Sequence, residues 1–325
     1  MRVMVTGAGS VMGYSIFQAL NYMKNIENIE VVFTNSNDLG AGFYFNLKSM
    51  YPVKIVATEI VPLATDANYE AFMLGLCEKY KIDFIFSGTQ HELYKVSKLK
   101  KNDKNTGTLN QELLDILLDK YLTHELLESN GVNMPKSFVF GTENKNELEF
   151  PLVIKPRTDS SSRNIYIVIN LEEYESLLLK IEEPSKYIVQ EFIDGKEYTC
   201  GCYIDRYSKN VSSIIMEREL TKDGATGWGK VVFNDVIEAY INQIASVLSR
   251  NGMEYGHVNV QLRMKDNRPY CFEINPRLSS TEGPKAQMGF NSVEAYLVNT
   301  ILEKEYLELV PEKKQFLRFY EDVIF

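Results

Sequence analysis

Apolar and polar positions divide the chain into two stretches with different rhythms. Over the first hundred residues, short apolar runs alternate with amphipathic segments. Val3-Met-Val-Thr is an uninterrupted run, followed by a glycine turn and a helical pattern to about residue 24. Further strands are expected over 30–34, 53–57 and 82–86, and a helix over 68–80 with Phe72, Leu76 and Tyr80 at i, i+4 and i+8. Alternation of this kind predicts a parallel sheet wrapped by helices. The Lys/Asn-rich segment 98–108 reads as a solvated linker. A helical stretch over 109–128 follows, closed by Asn130-Gly131.

From Pro135 the rhythm changes to successive short strands, expected over 137–140, 152–155, 165–169, 187–189, 197–204 and 211–216. Runs of strands with occasional helices predict an α+β arrangement. One helix stands out over 235–250, where Ile237, Ile241, Ile244 and Leu248 share a face and Gly252 supplies the stop. A last strand is expected over 316–320. The fold class is therefore α/β followed by α+β.

Composition narrows the function classes. The chain has 325 residues, 45% hydrophobic and 24% charged, enough for two or three folded domains. A formal net charge of -9 argues against nucleic acid as a partner, since that binding needs clustered Lys and Arg. No apolar run approaches the roughly 20 residues that span a bilayer, and the chain opens directly into a strand, so a cytoplasmic protein is expected. Cys77, Cys200, Cys202 and Cys271 are too few for a disulfide framework. Cys200 and Cys202 read as small buried residues, because a C-x-C pair alone lacks the other ligands a metal needs.

The turn Thr6-Gly-Ala-Gly-Ser-Val-Met-Gly13 sits where a dinucleotide site would, but its spacing is G-x-G-x-x-x-G. The second strand ends Phe33-Thr-Asn-Ser-Asn-Asp38, which places the only acid late for a ribose contact. A tight turn for close packing fits better than an NAD site.

The chemistry concentrates near the C-terminal end. Residues 261–277 read as a strand, a polar turn over 265–269 and a second strand ending Glu273-Ile-Asn275-Pro-Arg277. Glu273 and Asn275 are two apart and share a strand face, and the hairpin returns Gln261 towards it. Three hard oxygen donors beside an arginine suit magnesium and phosphate, not zinc.

Four further elements precede this hairpin in order. Lys120 lies on a helix in Leu-Asp-Lys-Tyr-Leu-Thr. Lys155 ends the run Pro151-Leu-Val-Ile-Lys. A small polar loop follows, Thr158-Asp-Ser-Ser-Ser162-Arg163-Asn164. Then comes Val189-Gln190-Glu191-Phe192-Ile193-Asp-Gly-Lys-Glu197. This order resembles the ATP-grasp superfamily, and within it the carbamoyl-phosphate-synthetase-like branch of single-chain ligases. The Gly88-Thr-Gln-His91-Glu-Leu93 turn is similar to that branch as well.

The resemblance implies a Rossmann-like domain (1–110), an ATP-grasp N-terminal lobe with a lid loop (111–192) and a C-terminal lobe with the metal site (193–325). It further implies that Lys120 and Lys155 contact the α- and β-phosphates, with Ser162 and Arg163 closing over them. Gln190, Glu191 and Ile193 would line the adenine edge, and Glu197 would take the ribose hydroxyls. Gln261, Glu273 and Asn275 would hold two Mg2+ ions, with Mn2+ as an admissible substitute, and Arg277 would meet the transferred phosphate.

Two departures from the family pattern stand out: serines replace lid glycines, and Gln261 stands where many relatives carry an acid. The implied activity joins a small-molecule carboxylate to an amine through an acyl phosphate, releasing ADP and phosphate. Phosphorylation of bicarbonate or carbamate uses the same ATP site and is the alternative. An NAD-dependent oxidoreductase and a non-catalytic nucleotide-binding scaffold are the other readings. The first lacks its ribose acid, and the second would not need Glu273, Asn275, Arg277 and both lysines. Thr221–Lys230 is expected either to cover the site, through Trp228 and Lys230, or to be a plain hairpin connection. Residues 278–282 and the tips near Thr89 are the candidate substrate contacts. A homodimer could complete the substrate side.

Overall fold

Four strands, β1 (Arg2–Val5), β2 (Glu30–Asn35), β3 (Lys54–Ile60) and β4 (Phe84–Phe86), form an all-parallel sheet ordered β3-β2-β1-β4. Alternate residues of these strands enter separate cores. Val3, Val5, Val31, Phe33, Phe84 and Phe86 lie on one side, and Met4, Val32 and Ile85 on the other. Burial on both faces explains why the strands read as continuous apolar runs. The computed structural model describes all residues except 48–51, 145–147, 159–163, 223, 320, 321, 323 and 325.

Helices α1 (Val11–Leu20), α2 (Tyr69–Tyr80) and α3 (Gln90–Lys98) belong to this region. The helix expected to reach residue 24 stops at Leu20. On α2 the buried face is Tyr69, Met73, Leu76 and Cys77, while Phe72 is exposed, so the expected stripe was turned from the true one. The segment 98–108 is not a linker. Leu99 is buried, Thr106 bridges Ile85 in parallel, and Lys100 donates to the Thr108 carbonyl. Lys101 faces water, but the Lys100 ammonium is largely buried and Lys98 pairs with Glu70, while the backbone extends the sheet.

The expected single helix over 109–128 is two, α4 (Gln111–Leu117) and α5 (Lys120–Ser129). Asp119 causes the break: its carboxylate accepts from the Tyr121 and Leu122 amides and so caps α5. Strands β5 (Ser137–Val139), β6 (Leu152–Pro156), β7 (Tyr166–Val168) and β8 (Tyr187–Glu191) then form an antiparallel sheet ordered β5-β8-β6-β7. Helix α6 (Leu171–Lys180), which the pattern had not suggested, covers it, with Tyr174 edge-on to Phe140 at 5.2 Å.

A larger antiparallel sheet comprises β9 (Lys196–Ile204), β10 (Val211–Leu220), β11 (Thr226–Val231), β12 (Gly256–Lys265), β13 (Arg268–Asn275) and β14 (Gln315–Leu317). Its order is β13-β12-β9-β10-β11-β14. Helix α7 (Asp235–Arg250) matches its expected bounds, and its four-residue stripe is buried. Each such side chain contributes about 1.5–3 kcal/mol through removal from water. Cys200, Cys202, Val258, Val260 and Leu262 share that core, and leucines of α4 and α5 join it. Helices α8 (Glu282–Gln287) and α9 (Ser292–Thr300) pack on α1 and merge the large sheet's other core with the parallel sheet. Among the described residues no helix is long and apolar enough to cross a membrane.

Candidate functional site

Strand alternation sorts the large sheet into two faces. Tyr198, Cys200 and Val260 face α7, whereas Glu197 and Thr199 of β9 and Asn259, Gln261 and Arg263 of β12 face a cavity of about 990 Å³. Residues of both antiparallel sheets line it. All four cysteines are free and buried, and burial pushes the Cys200 and Cys202 thiols upwards. The structural reading of the C-x-C pair holds.

Glu273 reaches the same cavity through a β-bulge. Lys265 pairs with Arg268 and Leu262 with Cys271, but the next pair is Gln261 with Glu273, so Phe272 has no opposite number. Regular pairing would set Glu273 against Val260 and turn it into the core, because a one-residue slip exchanges the two faces. The bulge therefore aligns Gln261, Glu273 and Asn275 and also lets Phe272 line the cavity. The turn joining these strands is tight, with Asp266 and Asn267 at φ 49 and 59.

The lysines approach from the smaller sheet. Lys155, on β6, donates to the Gln190 side-chain oxygen at 2.9 Å and to the Phe272 carbonyl at 3.0 Å. Burial pushes its ammonium down to about 8, although Glu273 pulls the other way. Gln190 in turn donates to Ser137 at 2.9 Å, so its side chain holds Lys155 in place. Lys120, the first residue of α5, stands 3.7 Å from Glu273. Its backbone amide donates to the Arg157 carbonyl, and the Arg157 guanidinium returns to Asp119 at 2.7 Å.

Glu197 is not a solvated surface acid. Arg218 and Arg263 grip its two carboxylate oxygens at 2.6 and 2.9 Å. Burial works to raise its pKa, but the two guanidinium groups outweigh burial and hold it below the ordinary carboxylate value. Arg218 also donates to the Gln261 oxygen at 3.0 Å. It had not been singled out in the sequence. Glu191 and Ile193 line the cavity too, with the Glu191 carboxylate accepting from the Lys136 amide and the Ile193 carbonyl from Arg263.

Arg277 lies at the end of β13 and donates to Gln90, in the first turn of α3. Ser279, Ser280 and Thr281 line the cavity, whereas Glu282 is tied to Lys285 behind it. Thr89 caps α3 and His91 is exposed. In the segment 221–230, residues Thr221, Lys222 and Gly224 to Thr226 line the cavity. Trp228 and Lys230 belong to β11 and pair with β10 and β14, so they form no cover. Ser162 and Arg163 lie outside the described residues.

The glycine turn near the start serves packing. A Cβ on Gly13 would meet the Gly7 oxygen at 2.4 Å, and one on Gly88 the Thr6 oxygen at 1.9 Å. This is the close approach expected of a structural turn.

A hard cation fits the donors present. Gln261, Glu273 and Asn275 offer oxygen on adjacent, registered strands, beside a cavity large enough for a nucleotide.

A family model described as an ATP-grasp domain matches residues 117–281. D-alanine--D-alanine ligase A of Bacillus cereus is 25% identical over 294 residues, covering 84% of this chain and 93% of that protein. An L-amino acid ligase from Bacillus licheniformis superposes with a TM-score of 0.72 at 18% identity, over 95% of this chain and 77% of its own. The biotin carboxylase domain of Hydrogenobacter thermophilus 2-oxoglutarate carboxylase, solved with MgADP and bicarbonate, gives 0.75 at 12% identity, over 97% and 73%. At these identities the solved structures establish a shared fold.

Proposed function

This chain belongs to the ATP-grasp family, and on that premise we propose that it is an ATP-dependent carboxylate–amine ligase. The reaction passes through an acyl phosphate and releases ADP and phosphate. One observation carries the reading: Lys120, Lys155, Glu273, Asn275 and Arg277 converge on one cavity from both antiparallel sheets. A curated relative that aligns over most of both chains is named for joining two amino acids, D-alanine--D-alanine ligase A.

In this reading Lys155 and Lys120 bind the α- and β-phosphates as point charges, and Gln190 and Glu273 fix where those charges sit. Glu191 and Ile193 border the adenine, and Glu197, steadied by two arginines, receives the ribose hydroxyls. Ser162 and Arg163, outside the described residues, keep only the phosphate-contact role that the family resemblance implies for them. Magnesium, which Gln261, Glu273 and Asn275 would hold, would supply charge neutralisation at the transferred phosphoryl group. Manganese would serve on the same donors. The family resemblance implies two ions on this trio, shared through Glu273.

Arg277 meets the developing acyl phosphate, where a fixed guanidinium stabilises charge without reorganising. The substrate carboxylate attacks the γ-phosphorus, and the amine then displaces phosphate from the carbonyl carbon. Water is excluded because it would hydrolyse the intermediate. Ser279, Ser280 and Thr281 form the neighbouring wall on which the carboxylate substrate would rest.

The three sheets support division near residues 110 and 192, although the apolar sides of α4 and α5 pack with the large sheet. The Hydrogenobacter domain was solved as a dimer, and a homodimer is the assembly we propose here. A phosphate-release screen crossing carboxylic acids with amines, amino acids first and bicarbonate as a separate arm, tests the function. Release that depends on both an acid and an amine is expected. Release with bicarbonate alone would replace this reading.

A further inference from the structure

The wall formed by Ser279, Ser280 and Thr281 has donors to spare, while each main-chain carbonyl from Leu278 to Thr281 is already engaged. Arg277 Nη1 donates to the Leu278 oxygen at 3.0 Å, and the Glu282 amide to the Ser279 oxygen at 3.3 Å. Arg318 Nη2 donates to the Ser280 oxygen at 2.6 Å, and the Lys285 amide to the Thr281 oxygen at 2.9 Å. Ser279 spends its own amide and hydroxyl on Glu282, and the Thr281 amide and hydroxyl both meet Ser279 Oγ. Among the described residues nothing in the protein bonds the amide or hydroxyl of Ser280, which lines the cavity.

Three of those four carbonyls are held from within residues 277–285. Ser280 is the exception, because Arg318 lies 38 positions further along the chain, just past the edge strand β14. The sheet brings it there. Phe316 pairs with Gly229 and Leu317 with Trp228, and the Arg318 amide donates to the Gly227 carbonyl at 2.8 Å. Phe316 and Arg318 therefore share a face of the extended chain, opposite two glycines. A Cβ on Gly229 would meet the Phe316 ring at 2.5 Å, so bare backbone in β11 is what lets a β14 side chain lie across it.

We propose that Arg318 is a positioning residue for the carboxylate substrate. Its guanidinium holds the oxygen edge of the Ser280–Thr281 peptide, and Ser279 Oγ holds the N–H edge at 3.2 Å, so the rigid plane between them is fixed. Released, that peptide can bring its carbonyl round to the cavity, where partial negative charge repels an arriving carboxylate. Held, it leaves the Ser280 amide and hydroxyl as the groups that meet the acid. Arg318 itself touches the wall and not the substrate. This inference rests on the ligase reading above and adds to it a residue that favours the acid by way of the wall.

A split between two Michaelis constants tests it. ADP release is measured on the full-length protein with MgATP, hydroxylamine as a common amine, and each proteinogenic amino acid, D-alanine, acetate or succinate as the acid. In Arg318→Ala the KM of the acids that support release is expected to rise by about 10-fold, with the KM for ATP within about twofold of the wild type. Arg318→Lys keeps a donor for the carbonyl and should recover most of the loss. An unchanged acid KM in Arg318→Ala, or a KM for ATP raised by the same factor, would overturn the proposal while leaving the ligase reading intact. Release supported by none of these acids in the wild type would overturn both. Ser280→Ala leaves Arg318 and the edge strand untouched, so it reads the wall even if Arg318→Ala fails to fold. It should raise the acid KM about fivefold, on the scale of one lost hydrogen bond, and a wild-type value there would also overturn the proposal.

Discussion

Arg277 donates to the side-chain oxygen of Gln90 through both Nε and Nη2 at 3.3 Å, across 187 positions of sequence. The chain just past β13, the strand of Glu273 and Asn275, is thereby fastened to the first turn of a helix in the parallel-sheet region. That region fixes the angle at which the guanidinium enters the cavity.

Gln90→Ala should leave ATP affinity within about twofold and lower kcat by roughly 10-fold, because hydrogen bonds to charged groups contribute about 1.5–3 kcal/mol and these two are long. Steady-state kinetics beside nucleotide titration separates the two quantities. A kcat equal to the wild type would remove Gln90 from the positioning of Arg277.

Glu273→Gln keeps the size of the side chain and discards its charge. Turnover should fall by at least about 100-fold, the scale lost when a principal source of electrostatic stabilisation is deleted. Circular dichroism should be unchanged, since Glu273 faces the cavity and not the core. Unaltered ADP release would sink the metal assignment.

Lys155 gives the site a pH dependence. Burial holds its folded pKa at about 8, below the ordinary 10.5, so the free protein sheds this proton above about pH 8. A triphosphate favours the ammonium form. Nucleotide affinity should therefore be full below pH 8 and fall by up to about tenfold per pH unit above it. Over the same window the unfolded chain binds more protons than the folded one, so the nucleotide-free protein gains stability from about pH 8 towards 10.5. Calorimetric titrations between pH 7 and 9.5 check this. Lys155→Ala should bind ATP markedly more weakly with a flat profile, and wild-type affinity in that variant would take Lys155 out of the site.

Behind the cavity, Lys285 and Glu282 form a fully buried pair at 2.9 Å. Burial works to raise the Glu282 pKa, yet Lys285 and His257 bring it down to about 2. A depressed carboxylate stabilises the fold above its ordinary value of 4.5, and that contribution is lost as pH falls towards 2. Lys285→Met strands the carboxylate and should cost about 3–5 kcal/mol in urea denaturation. Adding Glu282→Leu should recover most of it. A double variant as unstable as the single one would show that Lys285 acts through Asn259 and Ser279, its other two partners, instead.

Legibility in the sequence followed the range of the forces involved. Helix α7 could be read to its ends because its stripe and stop are local. The oxygen donors and lysines could be found because each sits on an apolar strand or a helix start. By contrast, β11 reads as a glycine-rich loop, and what makes it a strand is pairing on both sides, with Gly229 leaving room for the Phe316 ring. The Phe272 bulge leaves no local mark, yet without it Gln261 and Glu273 would face opposite ways. Arg218 was hidden in Glu-Arg-Glu-Leu, a charged strand end, and its partners lie 21 and 43 residues distant. Periodicity reports a residue's face, and it is silent on which distant side chain waits there.

The break at Asp119 carries one more consequence. Its carboxylate caps the helix that begins with Lys120 and clasps Arg157, two residues beyond Lys155. The Lys120 amide closes the loop on the Arg157 carbonyl. The ammonium groups of Lys120 and Lys155 are thus mounted on one bracket. Because α5 packs against both β13 and β5, that bracket pins the strand of Lys155 to the core beneath the large sheet, and the spacing of the two ammonium groups is set there.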